Sequence, residues 1–220
     1  MTGMIVAVAQ QKGGAGKTTF TAHLAAAWAA AGHKVALVDA DPQGSLTAWG
    51  ALRESQGGRW PAIPVEAASG WRADTVAGKL AGRYDLVLVD TPPHGEIDTR
   101  SVVRAARLVV VPVQPTPLDV WATRPTLALA KAEGRPVLVV LNRVPARAAL
   151  TLPMREAILA EGARLAKAGL GSRVAFAAAF GEGATAVETA PGSRAAQEAN
   201  AVAREVLALL RADEKNEKKK

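Results

Sequence analysis

The chain has 220 residues, 49% apolar but only 4% aromatic, enough for one domain with an interior of closely packed Ala, Val and Leu. It contains no cysteine, which excludes disulfides, thiolate metal sites and cysteine-held iron–sulfur clusters. The net charge of +7 is concentrated in residues 100–173, which hold twelve basic side chains (ten of them arginine) against four acidic ones, whereas residues 1–99 and 174–220 are near balance. Such asymmetry points either to a polyanionic partner or to an ordinary arginine-rich surface. No apolar run reaches the ~18 residues of a membrane span and no secretory signal is visible, so a cytoplasmic protein is expected.

In chain order, an apolar run over residues 5–9 predicts a strand and an Ala-rich run over 20–31 predicts a helix. Between them lies Gln10-Gln11-Lys12-Gly13-Gly14-Ala15-Gly16-Lys17-Thr18-Thr19. Strand, glycine-rich turn and helix are the context of a phosphate-binding loop. Glycine backbone can wrap an anion closely, successive amides point at phosphate oxygens, and the helix start adds partial positive charge. The loop residues Gly13, Gly14, Ala15, Gly16, Lys17, Thr18 and Thr19 are therefore the expected nucleotide cradle. Lys17 is expected on the β- and γ-phosphates and Thr18 on Mg²⁺.

Gly32-His33 ends the first helix, and residues 34–39 form an all-apolar strand closed by Asp39. Such a strand suits a parallel sheet covered on both faces. Residues 40–45 read as a loop, and 53–70 as irregular surface anchored by Trp60 and Trp71. Further strands are expected at 84–90, ending in Asp90, then at 108–113 and at 136–141, ending in Asn142-Arg143. A helix is expected over 118–132, closed by Gly134, and another over 151–168. A short strand at 174–177, a last helix over 193–211 capped by Ser193, and a charged, frayed tail at 213–220 complete the pattern. Alternating strands and helices define an α/β domain over residues 1–212, with a doubly wound, mainly parallel sheet and helices on both faces. Ligands bind such sheets beyond the carboxyl ends of the strands. The P-loop, Asp39/Asp41, Asp90 and Asn142/Arg143 all fall at those ends. Asp90 is placed to hold a water of the Mg²⁺ shell, Asp39 and Asp41 to face the γ-phosphate, and Asn142 and Arg143 to meet the adenine edge and ring.

The loop has Gln11 where the usual pattern has glycine, and a second lysine, Lys12, at its head. Lys-Gly-Gly-x-Gly-Lys-Thr-Thr resembles the deviant P-loop of the ParA/MinD family of dimeric ATPases. The resemblance extends through Asp-Ala-Asp-Pro-Gln-Gly, Thr-Pro-Pro after Asp90, Pro-Val-Gln-Pro-Thr-Pro-Leu-Asp, and the Glu188-Thr189-Ala190-Pro191 turn. It is nearest to small ParA-type partition ATPases without an N-terminal helix-turn-helix, since no residues precede the first strand. The tail lacks the apolar residues of a MinD-type membrane helix. The resemblance implies a P-loop NTPase fold, with ATP and Mg²⁺ as ligands. Lys12 would reach across a two-fold interface to the partner's nucleotide, Lys17 and Asp41 would act in catalysis with Asp41 placing the attacking water, and Asp39 would support the metal side with Thr18 and Asp90. It places the segment beginning at Phe180 beside the base and gives the turn at Glu188 a structural role. It further implies an ATP-dependent homodimer and partner-triggered hydrolysis by a ParB-like or analogous activator. Non-specific binding to the nucleoid would run through Arg143, Arg147, Arg164, Lys167, Arg173, Arg194 and Arg204, positioning a DNA or protein cargo without a membrane. The alternatives are a dethiobiotin-synthetase-like ATP-dependent enzyme and a MinD-like membrane-cycling positioner.

Overall fold

A computed structural model describes residues 3–68, 70–93, 96–146 and 150–217. Seven parallel strands form one sheet: β1 (Met4–Val8), β2 (Val35–Asp39), β3 (Val65–Ala67), β4 (Leu86–Asp90), β5 (Leu108–Val113), β6 (Val137–Leu141) and β7 (Arg164–Leu165), in the order β3-β2-β4-β1-β5-β6-β7. The helices are α1 (Lys17–Ala30), α2 (Ser45–Ser55), α3 (Ala73–Ala81), α4 (Glu96–Ala105), α5 (Pro117–Trp121), α6 (Arg124–Ala132), α7 (Thr151–Ala160), α8 (Val174–Gly181), α9 (Ala186–Thr189) and α10 (Arg194–Glu217).

The central strands are apolar up to the carboxylates that end β2 and β4, because both faces of the sheet are covered. Val6 and Val8 of β1, Leu86 and Leu88 of β4, and Val110 of β5 face one core with α1 and α10. Their neighbours Ala7, Val87, Val89, Val109 and Val111 face the other, with α3, α4 and α6. Period-two alternation thus sorts one run of valines and leucines into two cores. Trp28 of α1 donates its indole N–H to the Ala203 carbonyl at 2.9 Å, fixing α10 across the first helix.

Several elements differ from the sequence expectation. Residues 174–177 belong to α8 and not to a strand: four apolar residues carry no period of their own, and the alanines at 175, 177, 178 and 179 favour helix. The seventh strand is instead Arg164–Leu165, because α7 stops at Ala160 and Gly162 turns the chain at φ 75°. The helix expected over 118–132 is two helices, since Pro125 cannot donate back into a continuous turn. Trp71 is no packing anchor. It sits on the single 3₁₀ turn Gly70–Arg72 and is 73% exposed. Backbone helix continues in α10 to Glu217, beyond the expected fraying point. Ser193 does cap α10, its Oγ accepting from the Ala196 amide at 3.2 Å.

Candidate nucleotide site

β1 delivers the P-loop to the carboxyl edge of the sheet, between β4 and β5. Gly14 and Gly16 adopt φ of 77° and 83°, the left-handed region that a side chain resists. Gly16 is doubly required, because a Cβ there would lie 2.8 Å from the Asn142 amide nitrogen. The amino end of α1 opens directly after it. Lys17 is buried and donates to the Gln10 carbonyl at 3.1 Å. Burial pulls its pKa down, against the attraction of Asp90 and Asp41, so both carboxylates stand within electrostatic reach of its ammonium.

Asp90 ends β4 fully buried, and neither of its oxygens has a hydrogen-bond partner among the described residues. Burial raises its pKa to about 7, opposed by Thr18 and Lys17 and assisted by Asp39 and Asp41. An orphaned buried carboxylate beside the Thr18 hydroxyl and Lys17 is a donor set that fits a hydrated Mg²⁺ bound with phosphates. Asp41 is half-buried, and its Oδ1 accepts from the Gln43 amide at 3.0 Å. Asp39, expected on the metal side, is the register partner of Asp90 across β2 and β4 and uses its carboxylate on α2: Oδ2 accepts from the Thr47 amide at 2.7 Å and hydroxyl at 2.9 Å, and Oδ1 from the Asp41 amide at 3.2 Å. It orients Asp41 and clamps the start of α2.

Asn142 and Arg143 hold the P-loop from β6. Asn142 Nδ2 donates to the Ala15 carbonyl at 2.8 Å, and the Arg143 guanidinium to the Gly14 carbonyl at 2.9 Å, with Arg143 at φ 52°. Both line a small cavity of about 110 Å³ with Gly16, Phe20, Arg173 and Phe176. Phe180, expected beside the base, is not among the residues lining this cavity and stacks on Trp49, with ring centroids 6.0 Å apart. The segment Leu170–Arg173 lines the cavity in its place.

Lys12 turns towards its own chain. Its Nζ donates to the buried Asp119 carboxylate at 2.7 Å, which also accepts from the Thr116 hydroxyl. Asp119 and Gln114, whose Nε2 donates to the Gly14 carbonyl at 3.1 Å, are site residues that sequence reasoning missed. The Thr116-x-x-Asp119 spacing, a helix-capping signature, was the available signal.

The seven cations expected on a DNA face differ in the contacts they make. Arg143 is engaged at the P-loop. Arg173 (2.6 Å) and Arg194 (3.5 Å) converge on Glu198 of α10. Arg164, Lys167 and Arg204 are exposed, with Glu205 between the last two accepting from the Lys167 and Ala168 amides at 2.9 Å. Arg147 lies outside the described residues.

Behind the site, His23 of α1 bonds the Thr19 carbonyl through Nδ1 at 2.8 Å and accepts from the Ala186 amide through Nε2 at 3.1 Å. Burial lowers its pKa to about 4, so it is neutral when folded. Between pH 6.5 and 5 the unfolded chain gains a proton here that the folded chain does not, and this contribution to stability falls with pH. Asp90, protonated in the folded chain over the same window, acts in the opposite direction. The comparison with His23→Gln isolates the histidine: the wild type should lose about 2 kcal/mol relative to the variant between pH 6.5 and 5. Parallel urea-unfolding curves at the two pH values would exclude this linkage.

A parallel sheet with this loop at its central strand and a carboxylate at the end of the adjacent one defines a P-loop nucleotide-binding protein. The chain belongs to the family described as the CobQ/CobB/MinD/ParA nucleotide binding domain, which matches residues 6–186. It is 33% identical over 211 residues to the maintenance of carboxysome distribution protein A of Halothiobacillus neapolitanus, covering 92% of this chain and 95% of that one. The cell division ATPase MinD of Pyrococcus furiosus superposes with TM-score 0.80 at 24% identity, covering 94% of this chain and 99% of that one. The septum site-determining protein MinD of Pyrococcus horikoshii, complexed with Mg-ADP, superposes with TM-score 0.78 at 24% identity, covering 92% and 95%. Among the described residues no helix is long and apolar enough to cross a membrane.

Proposed function

We propose that the chain is an ATP- and Mg²⁺-dependent ATPase whose ATP-bound form is a homodimer, and that it positions a cargo by cycling on and off DNA until a ParB-like or analogous partner triggers hydrolysis. The observation that carries this reading is Lys12. It stands at the head of the P-loop with 38% of its side chain exposed, bonded away from the pocket that Lys17 serves. On leaving Asp119 a cation so placed would reach a nucleotide facing it from a second copy, and a two-fold sandwich would couple nucleotide state to oligomeric state. The whole-length similarity to a carboxysome-distribution protein favours positioning over the synthetase branch of the same family.

In the proposed roles, Lys17 and the loop amides hold the phosphates, Thr18 and Asp90 hold the magnesium, and Asp41 orients the attacking water. Magnesium, when bound, supplies charge neutralisation across the β- and γ-phosphates. The DNA contacts would fall on Lys167 and Arg204, exposed cations of the expected set that carry no ion pair among the described residues.

Light scattering with ATP and with ADP tests the reading. Lys12→Ala should bind nucleotide yet stay monomeric, whereas Asp41→Ala should dimerise with ATP and hydrolyse it at least about a hundredfold more slowly. An ATP-induced dimer of Lys12→Ala would remove the cross-subunit role. For DNA, each lost phosphate contact should flatten the plot of log affinity against log salt by about 0.9 on any sequence. The double variant Lys167→Ala/Arg204→Ala should show this on two unrelated duplexes, and equal binding with ATP and ADP would defeat the nucleoid-cycling idea.

A further inference from the structure

A cavity of about 1000 Å³ lies at the opposite pole from the P-loop, under the amino ends of β5, β6 and β7 and beside α6. Arg124, Lys131, Arg135 and Arg164 converge on it with one carboxylate, Glu161. Arg124 is already held by Glu161, at 2.7 Å and 2.9 Å. Among the described residues Lys131, Arg135 and Arg164 have no carboxylate partner, and the buried Nε of Arg135 has no hydrogen-bond acceptor. Leu127 and Val137 add apolar wall between the charges.

Converging like charges repel one another, and a buried guanidinium N–H without an acceptor carries a desolvation cost. A multivalent anion relieves both. The guanidinium fork matches phosphate oxygens, the ammonium adds a point charge, and apolar wall between a few convergent polar groups is typical of a small-molecule pocket. The concavity suits a compact ligand better than the convex side of a duplex. We propose that this cavity is a second anion site, separate from the P-loop, for a small polyphosphorylated ligand, with Lys131, Arg135 and Arg164 holding the phosphate chain. The inference does not depend on the ATPase reading.

Calorimetric titration of tripolyphosphate, and separately of GTP, into the full chain saturated with Mg-ADP tests it at fixed ionic strength. One saturable site is expected, retained in Lys17→Ala, whose P-loop no longer competes for phosphate. Its affinity should fall at least about tenfold in Lys131→Ala and again in Lys131→Ala/Arg135→Ala. Lys131 is exposed, so its substitution leaves the fold intact, and Lys167→Ala/Arg204→Ala should bind as the wild type does. Equal affinity for the two probes makes the phosphates the recognised group, and tighter GTP binding adds contact with the apolar wall. The proposal is overturned by the lack of a saturable site in Lys17→Ala, by unchanged affinity in the double variant, or by displacement of tripolyphosphate by a short duplex that binds more tightly at the same residues.

Discussion

Lys17→Ala should lower nucleotide affinity by two to four orders of magnitude while the chain stays folded. Its ammonium is the one cation buried inside the loop among the described residues, and a charge-assisted hydrogen bond contributes about 1.5–3 kcal/mol. Contacts to two phosphates give about 3–6 kcal/mol, or roughly 10²–10⁴-fold in the dissociation constant. The variant also leaves Asp90 without its nearby positive charge, which drives that carboxyl further towards the neutral form and weakens its hold on a magnesium shell. Titration of a fluorescent ATP analogue, with circular dichroism to verify folding, reads the effect. Affinity within threefold of the wild type would mean that the loop does not cradle phosphates.

Glu188→Ala should be the most damaging single change to stability, at about 3–5 kcal/mol, because it breaks a buried ion pair on one side only. The Arg53 and Glu188 side chains are each more than nine-tenths buried and joined through the two terminal guanidinium nitrogens. Arg53 also donates to the Pro61 carbonyl at 2.8 and 3.0 Å and to the Gly183 carbonyl at 3.1 Å. Glu188 accepts from the Thr185 amide and hydroxyl, completing the cap of α9. Removing the carboxylate strands a guanidinium in the interior and uncaps a helix. Replacing both partners by apolar residues of similar volume should restore much of the loss. Chemical denaturation of the single and double variants checks this; a single variant within 1 kcal/mol of the wild type would show that water reaches Arg53.

The sequence was most informative where a short motif carries its own geometry. Lys12 to Thr19 announced both the loop and its place between strand and helix, and the all-apolar run before Asp90 announced a central parallel strand with a carboxylate at its end. What stayed hidden depended on distant neighbours. Nothing near Lys12 points to Asp119, 107 residues away. The arginine-rich segment suggested one cationic face, but α10 sets Glu198 and Glu205 about two turns apart on one side, against residues 167–173. Those acids offset part of that charge, and Arg124, Lys131, Arg135 and Arg164 line a separate cavity beside α6. The shortest elements were also lost: β7 has two residues, too few for a period of two to be seen.

The position of β1 has a consequence for biosynthesis. It is the earliest of the seven strands in chain order and the middle strand of the sheet, yet its native neighbours are Leu86–Asp90 and Leu108–Val110. At about 5–20 residues per second, some 5–20 seconds separate translation of β1 from translation of its second partner. For that interval a hydrophobic segment with open backbone donors and acceptors waits beside the ribosome, the condition under which nascent chains aggregate or recruit chaperones. The nucleotide loop, which hangs from the end of β1, cannot acquire its full support until the chain has been synthesised through Val110.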